Sequence, residues 1–168
     1  MKKVIAIIAA ALLATNAWGQ LSIRDAIKVI RGKGMVECNY SFIMKGDFPL
    51  QGNGTATLMG NKYHGFENGL ETYSDGSTTW TIDNKAKEVV ITKAGHAMAS
   101  HLEDYIGVVK NFRYTGTTLS CSLISEEMGL YMDFKAEGIK TLPAPADTSF
   151  FSFDTSKLDS SWIVTDLR

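Results

Sequence analysis

The residues of this chain that could perform acid–base or metal chemistry are few and widely spaced. Its three histidines are His64, His96 and His101. His96 and His101 are off the i, i+4 spacing that places two ligands on one helical face, and no HExxH sequence is present. Glu103 would add a third ligand to a weak metal cluster, but a solvated helix face explains the three residues better. His64 lies in a predicted short strand, with no acid or nucleophile close to it in sequence.

Patterns for nucleophilic catalysis, nucleotide binding and glycoside hydrolysis are also missing. No serine lies in a G-x-S-x-G sequence. Gly52-Asn53-Gly54 is too short for a dinucleotide fingerprint and precedes a predicted strand. Glu126 and Glu127 are adjacent, which is typical of a solvated hairpin turn and not of two opposed catalytic carboxylates. We therefore expect no enzyme, no metal and no cofactor.

Cys38 and Cys121 are the two cysteines, and each lies within an alternating apolar pattern. In an oxidising compartment they could form a disulfide that closes a long loop. Alternatively, both are buried and unpaired and pack as small hydrophobic residues. Both possibilities stay open, because the sequence does not give the distance between the two Cα atoms.

The first residues have the pattern of a secretory signal peptide. Lys2 and Lys3 provide a positive start, residues 4–14 are an apolar run, and residues 17–19 (Ala-Trp-Gly) form a cleavage site. The apolar run is too short for a transmembrane helix. We expect residues 1–19 to be cleaved after Gly19 on export, which leaves residues 20–168 as a single domain.

Residues 70–83, with the sequence LETYSDGSTTWTID, predict a β-hairpin that turns at Asp75-Gly76. A two-residue loop at that position would pair Tyr73 with Thr78. Since cross-strand partners share a face of the sheet, three large apolar side chains should lie together, namely Tyr73, Trp80 and Ile82. Such a face must be covered by core, by a lid or by a ligand.

Other short segments of alternating polarity are separated by turn residues, at about ten residues per strand and turn. Besides the hairpin, the predicted strands are 36–44, 54–59, 62–66, 88–92, 112–114, 118–124, 130–136, 149–153 and 162–166. The connections between the early strands are too short for crossover helices, so an antiparallel meander is expected. The sheet is either a barrel wrapped on itself or an open half-barrel.

Two segments have the apolar spacing of amphipathic helices. The first is residues 22–30, where Ser22 and Asp25 resemble a capping box. The second is residues 97–110, a predicted lid helix whose apolar residues recur at three- and four-residue steps: Met98, Leu102, Tyr105 and Ile106. Two short helices are a thin cover for a sheet of this size.

Large apolar side chains on the predicted strands are candidates for lining a ligand cavity. They are Tyr40, Phe42, Met44, Leu58, Tyr73, Trp80, Ile82, Met132 and Phe134. Ordinary core is the default role of any single one of them. The set suggests a cavity because the chain is expected to be exported and has little helical cover, and because methionine repacks easily around varied ligands.

Several segments, taken in order, resemble the periplasmic outer-membrane lipoprotein carrier family, the LolA-like proteins. They are residues 51–60 (QGNGTATLMG), Tyr63, residues 73–82 (YSDGSTTWTI), residues 88–91 (EVVI), residues 151–154 (FSFD) and residues 164–168 (VTDLR). The family pattern is a G-x-G strand, a turn, and S-D-G-x-T-x-W followed by a further strand. The resemblance covers residues 20–92 and 149–168.

This resemblance implies a mainly β (α+β) fold, in which a curved antiparallel sheet forms an unclosed half-barrel with short covering helices. It implies a periplasmic, monomeric carrier of lipoprotein acyl chains or another lipid, which receives cargo from an inner-membrane exporter and delivers it to an outer-membrane acceptor. A formal net charge of −1 without a basic cluster indicates no nucleic-acid partner. The alternative is a LolA-like interaction or envelope-sensing module with a filled core and no transported ligand.

The chain departs from the family in two places. Where well-studied carriers have an arginine that holds the lid shut, in the turn after the G-x-G strand, this chain has Gly60. The segment between Ile91 and Phe151 is also shorter than in the family. Both differences concern the control of cargo more than they concern the fold.

Overall fold

The computed structural model describes residues 34–46, 49–94, 107–127 and 129–168. This part of the chain is mainly β, with two short 3₁₀ turns at Ser149–Phe151 and Thr155–Lys157. Its strands are β1 (Met35–Lys45), β2 (Leu50–Met59), β3 (Lys62–Glu67), β4 (Leu70–Ser74), β5 (Thr78–Asp83), β6 (Glu88–Lys93), β7 (Val109–Tyr114), β8 (Thr118–Ser125), β9 (Leu130–Leu142) and β10 (Ile163–Asp166).

All of these strands join one sheet in the order β10-β6-β5-β4-β3-β2-β1-β9-β8-β7. Every neighbouring pair is antiparallel except β10 and β6, which are parallel. The two ends of this order, β10 and β7, do not pair with each other, so the sheet is not closed into a barrel. The predicted fold class, a large antiparallel sheet that stays open, is confirmed. The parallel pairing of β10 was not predicted.

The sheet has two faces, and its buried apolar side chains change face part of the way across. On β7, β8, β9, β1, β2 and β3 they lie on what we call the core face, which carries Tyr40, Phe42 and Phe134. On β4, β5 and β6 they lie on the reverse face, which carries Tyr73, Trp80 and Ile82. The core face of β4 and β5 instead carries small polar side chains, among them the buried Ser74 and Thr79.

The C-terminal segment, residues 149–162, covers the reverse face of β3 to β6. The ring of Phe150 lies edge-on to His64, and the ring of Phe153 lies 5.6 Å from that of Tyr73. Further along, Leu158 and Trp162 pack against the cluster of Ile82, Val89 and Ile91. The chain then continues into β10 beside β6. One half of the sheet therefore obtains its second layer from the end of the chain.

Two β-bulges interrupt the ladders at the other half of the sheet. In β9, Gly138 and Ile139 lie opposite the single residue Cys38, and in β7, Asn111 and Phe112 lie opposite Cys121. The φ angles of Gly138 and Asn111 are +63° and +54°. Because an extra residue bends and twists the strand that holds it, these bulges curve the sheet around its core face. They also keep Ile139 and Phe112 packed on that face.

The predicted register of the β4–β5 hairpin is wrong by two residues. Tyr73 pairs with Trp80, not with Thr78, and the amide of Asp75 donates to the carbonyl of Thr78. The tight turn is therefore at Gly76 and Ser77, where Gly76 has φ +93°. The Asp75 carboxylate accepts hydrogen bonds from the Ser77 and Thr78 amides. Asp75 therefore precedes the turn and is not one of its two central residues. The partner of Tyr73 moves by two residues, so the predicted face is unchanged.

Two secondary-structure predictions near the chain's later half are also wrong. The predicted helix 97–110 does not extend to its end, because Val109 and Lys110 belong to β7. The predicted strand 149–153 is instead a 3₁₀ turn at Ser149–Phe151. There, the Asp147 carboxylate accepts hydrogen bonds from the amide and hydroxyl of Ser149, and this local pairing competes with an extended conformation.

Several predictions fall on residues outside the described ranges. These are the signal peptide 1–19, the helix 22–30, His96 and His101 with Glu103, and the lid-helix residues Met98, Leu102, Tyr105 and Ile106. Among the helices that are described, none is long and apolar enough to cross a membrane.

Candidate functional site

The core face gathers most of the predicted cavity residues into one layer. Six of the nine lie there, either buried or, for Met44, partly buried: Tyr40, Phe42, Met44, Leu58, Met132 and Phe134. Phe42 pairs with Phe134, and Met44 pairs with Met132, across β1 and β9. The rings of Tyr40 and Phe134 are stacked with centroids 6.2 Å apart. Alternation along three strands therefore produces a continuous aromatic and methionine surface.

Two glycines in β2 make room for this aromatic layer. A Cβ atom on Gly52 would lie 2.6 Å from the Phe42 ring, and one on Gly54 would lie 2.9 Å from the Tyr40 ring. A Cβ on Gly54 would also meet the Phe66 carbonyl oxygen at 2.1 Å. The G-x-G sequence thus has a packing role: the rings of β1 lie across the neighbouring strand where no side chain stands.

One buried acid is placed beside the aromatic layer. The hydroxyl of Tyr40 donates to Oε2 of Glu67 at 2.6 Å, and both residues are buried. Burial raises the pKa of Tyr40 well above its usual range, and the hydrogen bond to Glu67 raises it further. Tyr40 therefore stays a neutral donor. Glu67 was not predicted as a site residue, because it follows the last residue of the predicted strand 62–66; in the structure it lies opposite Gly54 and faces the core.

The two cysteines also lie on the core face, and both are free. Cys38 is on β1 and Cys121 is on β8, with β9 between these strands. Two interstrand steps of about 4.8 Å place the Cα atoms farther apart than the roughly 7 Å that a disulfide spans. Burial raises the pKa of each thiol to about 12. Of the two possibilities left open by the sequence, the structure has the unpaired one.

The other three predicted cavity residues, Tyr73, Trp80 and Ile82, lie together on the reverse face. The structure therefore does not unite the nine candidates in one cavity. Instead, the C-terminal segment packs over these three through Phe153, Leu158 and Trp162. The face with Tyr73, Trp80 and Ile82 was expected to be covered by core, by a lid or by a ligand. In the described part of the chain, side chains of the C-terminal segment cover it.

A small polar cluster lies at the border of this second layer. Nε2 of His64 is 2.8 Å from Oε1 of Glu71, and the Tyr73 hydroxyl donates to the same oxygen at 2.7 Å. The rings of His64 and Tyr73 are stacked at 4.2 Å. Burial opposes ionisation of Glu71, but the hydrogen bonds from Tyr73 and His64 outweigh it and lower the pKa of this carboxyl.

The fold places beside His64 an acid that was not predicted from the sequence. Glu71 is seven residues away in sequence and comes within reach because β3 pairs with β4, placing Tyr73 directly opposite His64. The Glu71 carboxylate therefore has two partners, the His64 ring and the Tyr73 hydroxyl. The cluster's apolar neighbours Phe150 and Phe153 belong to the packed C-terminal segment. Within the described ranges, no group of three or more His, Cys, Asp and Glu residues is placed to hold a metal ion.

A cleft of about 490 Å³ lies on the reverse face of β1, β9, β8 and β7, where Ile43 is among its lining residues. Three serines from two strands line it: Ser41 of β1, and Ser120 and Ser122 of β8. Its other polar side chains are Asn111, Arg113, Asp133 and Lys135. No sequence pattern predicts this cleft, because its polar residues are the solvent-facing positions of alternating strands and form no motif.

Comparison with known proteins assigns no family: no protein-family model matches the chain, and no curated protein sequence matches it significantly. Its function must therefore be argued from its own residues.

Proposed function

We propose that this protein is an exported carrier that holds an acyl chain, or a similar apolar ligand, against the core face of its open sheet. One observation carries the proposal: a sheet that does not close carries a continuous layer of large apolar side chains across β7, β8, β9, β1, β2 and β3. The signal-peptide pattern and the resemblance to LolA-like carriers agree with it.

The binding would be non-covalent and driven by the removal of apolar surface from water. A sixteen-carbon chain buries enough methylene groups for a gross gain on the order of 10 kcal/mol, at about 0.8 kcal/mol per methylene, before the costs of association. Met44 and Met132, paired across β1 and β9, are adaptable surfaces for chains of different shape. Release then requires an acceptor that binds the chain more tightly.

The polar pair of Tyr40 and Glu67 would limit where an acyl chain can lie. Desolvating this pair without replacing its hydrogen bond is unfavourable, so the apolar tail should lie towards Met44, Met132 and Leu130. Gly60 has a φ of +59°, which favours glycine over the arginine of the well-studied carriers, so it argues against their lid control and against assuming that the ligand is a lipoprotein.

The second candidate is an interaction or envelope-sensing module whose core is filled by its own side chains. The observation that favours it is the complete burial of Leu119, Leu123 and Ala136, each with 0% exposure, on the core face. In that case the same surface would be structural, and the ligand of the protein would be another protein. The two candidates differ in whether lipid accompanies the purified protein.

The deciding experiment is native purification of the exported protein, followed by lipid mass spectrometry. A carrier should contain an acyl species near one equivalent. Met44→Trp, which enlarges a partly buried residue on the core face, should reduce this amount several-fold. The matched control is Ile124→Trp, because Ile124 of β8 pairs with Tyr131 on the opposite face, is 38% exposed and does not line the cleft. A folded, stable wild-type protein without lipid would overturn the carrier and favour the second candidate.

A further inference from the structure

We propose that the cleft on the reverse face binds a phosphate group, with Arg113 as its principal ligand. The proposal goes beyond acyl-chain binding, because the cleft is on the opposite side of the sheet from the aromatic and methionine layer. Its volume of about 490 Å³ is within the range of roughly 300–1,000 Å³ that is usual for small-molecule sites.

The register of the sheet places two cations in one row across the cleft. Arg113 pairs with Ser120, Ser120 pairs with Lys135, and Lys135 pairs with Ser41. Paired residues share a face, so these four side chains lie side by side on adjacent strands about 4.8 Å apart. A group bound at Ser120 would therefore have a guanidinium on one side and an ammonium on the other.

The bulge in β7 produces the remaining donor. In a regular strand, Lys110 and Arg113 would point to opposite faces, since they are three residues apart. The extra residue at the bulge puts both on the reverse face and adds Asn111, whose amide is 3.5 Å from the Ser122 hydroxyl. Bulges commonly re-aim side chains beside binding sites. Here the result is a cation, an amide and hydroxyls that line the same cleft.

The acidic groups in and beside the cleft are paired with lysines, so the positive charge of Arg113 is not neutralised by them. Asp133 is already engaged, since Lys45 Nζ lies 2.7 Å from one of its oxygens and the Ser122 hydroxyl donates to the other at 2.9 Å. Lys135 lies 2.6 Å from Glu137. Within the described part of the chain, the guanidinium of Arg113 has neither an ion pair nor a hydrogen bond. A guanidinium presents a planar set of donors that matches phosphate oxygens in pairs.

A phosphate group fits these donors because it is tetrahedral and has several acceptor oxygens. Two of its oxygens would accept from Arg113, while the others would accept from the Ser120 hydroxyl and the Asn111 amide. Asp133 would remain with Lys45 and Ser122. The phosphate could belong to a soluble phosphate or to the headgroup of an anionic phospholipid, and the chemistry of recognition is the same for both.

The test is binding of inorganic phosphate to the full exported chain, measured by calorimetry, and co-sedimentation with phosphatidylglycerol vesicles. Arg113→Gln should weaken phosphate binding at least tenfold. The control is Arg168→Gln, at the other end of the sheet, where the arginine already pairs with Asp166 at 2.6 Å. This control and Met44→Trp should both bind phosphate as the wild type does, so the result does not depend on acyl binding.

The two sources of phosphate give different patterns. Phosphate binding without vesicle binding indicates a soluble ligand, whereas vesicle binding that depends on Arg113 and is competed by phosphate indicates a headgroup. Phosphatidylcholine vesicles serve as the comparison without net charge. The proposal is overturned if the wild type binds neither phosphate nor phosphatidylglycerol vesicles, or if Arg113→Gln, with an unchanged melting temperature, binds within twofold of the wild type.

Discussion

The close approach of β1 aromatic rings to β2 makes Gly54 a sensitive single position. An alanine there would bring Cβ to 2.1 Å from a backbone carbonyl oxygen, which cannot move aside as a flexible side chain would. We expect Gly54→Ala to lower the free energy of unfolding by more than about 2 kcal/mol, as overpacking and backbone displacement do. Urea denaturation followed by tryptophan fluorescence measures the change.

Gly107 provides the control for this substitution. It has open space around the position of a Cβ atom and no left-handed φ angle. Gly107→Ala should therefore change the free energy of unfolding by no more than about 0.5 kcal/mol. Equal effects at the two glycines would show that the rings do not lie over Gly54 as described.

The buried hydrogen bond between Tyr40 and Glu67 predicts strong coupling of these residues. Tyr40→Phe keeps the ring but removes the donor from a buried carboxyl oxygen, so we expect a loss of about 1–3 kcal/mol. Combining it with Glu67→Leu should cost less than the sum of the two single substitutions, because the unpaired acid is then gone. A double-mutant cycle in urea measures the coupling energy.

Tyr131→Phe is the matched control for Tyr40→Phe. Tyr131 is 40% exposed on the reverse face of β9, and its hydroxyl can reach water. Loss of this hydroxyl should change the free energy of unfolding by no more than about 0.5 kcal/mol. Strict additivity of Tyr40→Phe and Glu67→Leu would contradict the buried pair.

At the level of secondary-structure elements, the His64–Glu71–Tyr73 cluster should make the attachment of the C-terminal segment pH-dependent. The pKa of Glu71 is lowered in the folded protein, so folding favours its ionised form. This contribution is fully present above the ordinary carboxyl value of 4.5 and is lost as the pH falls through the lower folded value. Protonation removes an acceptor that Tyr73 and His64 share, beneath Phe150 and Phe153.

Hydrogen exchange of residues 149–162 measures this effect. Protection in the wild type should fall as the pH decreases below about 4.5, after correction for the intrinsic exchange rate. Glu71→Gln should already have reduced protection at neutral pH and should show a weaker dependence in the acid range. Glu126→Gln, on the exposed turn between β8 and β9, should behave as the wild type does. Identical pH profiles for all three proteins would refute the coupling.

The elements differ in how far the sequence predicts them. Alternation locates β1 and assigns Tyr40 and Phe42 to one face, because each polar neighbour is clearly distinct from them. It cannot reveal that the apolar face changes sides at β4 and β5, where threonines are compatible with either face. The same limit applies to the candidate site. Alternation groups Tyr73 with Trp80 and Ile82, but the cover by Phe153 and Trp162 comes from distant parts of the chain.

Pairing between distant segments explains the other gaps. The partner of His64 is set by which strands become neighbours, and β10 joins β6 only after the chain has crossed the sheet. The predicted strand at residues 149–153 has aromatic residues that suit a sheet, yet the Asp147 side chain satisfies the local amide of Ser149 and allows a turn. Such choices depend on competition between local and long-range hydrogen bonds, which periodicity does not measure.

For the whole molecule, the two cysteines report on how the sheet opens. Both thiols are buried on the core face at 5% exposure, and burial raises their pKa to about 12, so almost no reactive thiolate is present at neutral pH. They lie on β1 and β8, in the half of the sheet whose core face carries Tyr40, Phe42 and Phe134. Labelling of both therefore requires opening of this core, and not merely release of the C-terminal segment.

We expect the native protein at pH 7 to react with a thiol reagent orders of magnitude more slowly than the unfolded protein, which should react at two sites without prior reduction. Both cysteines should react at the same rate as the urea concentration rises, because one cooperative core protects them. Acidification to the range that loosens the C-terminal segment should leave their protection unchanged. Rapid labelling of Cys38 alone would show that β1 opens independently, and a chain that needs reduction before it reacts would contradict the free thiols.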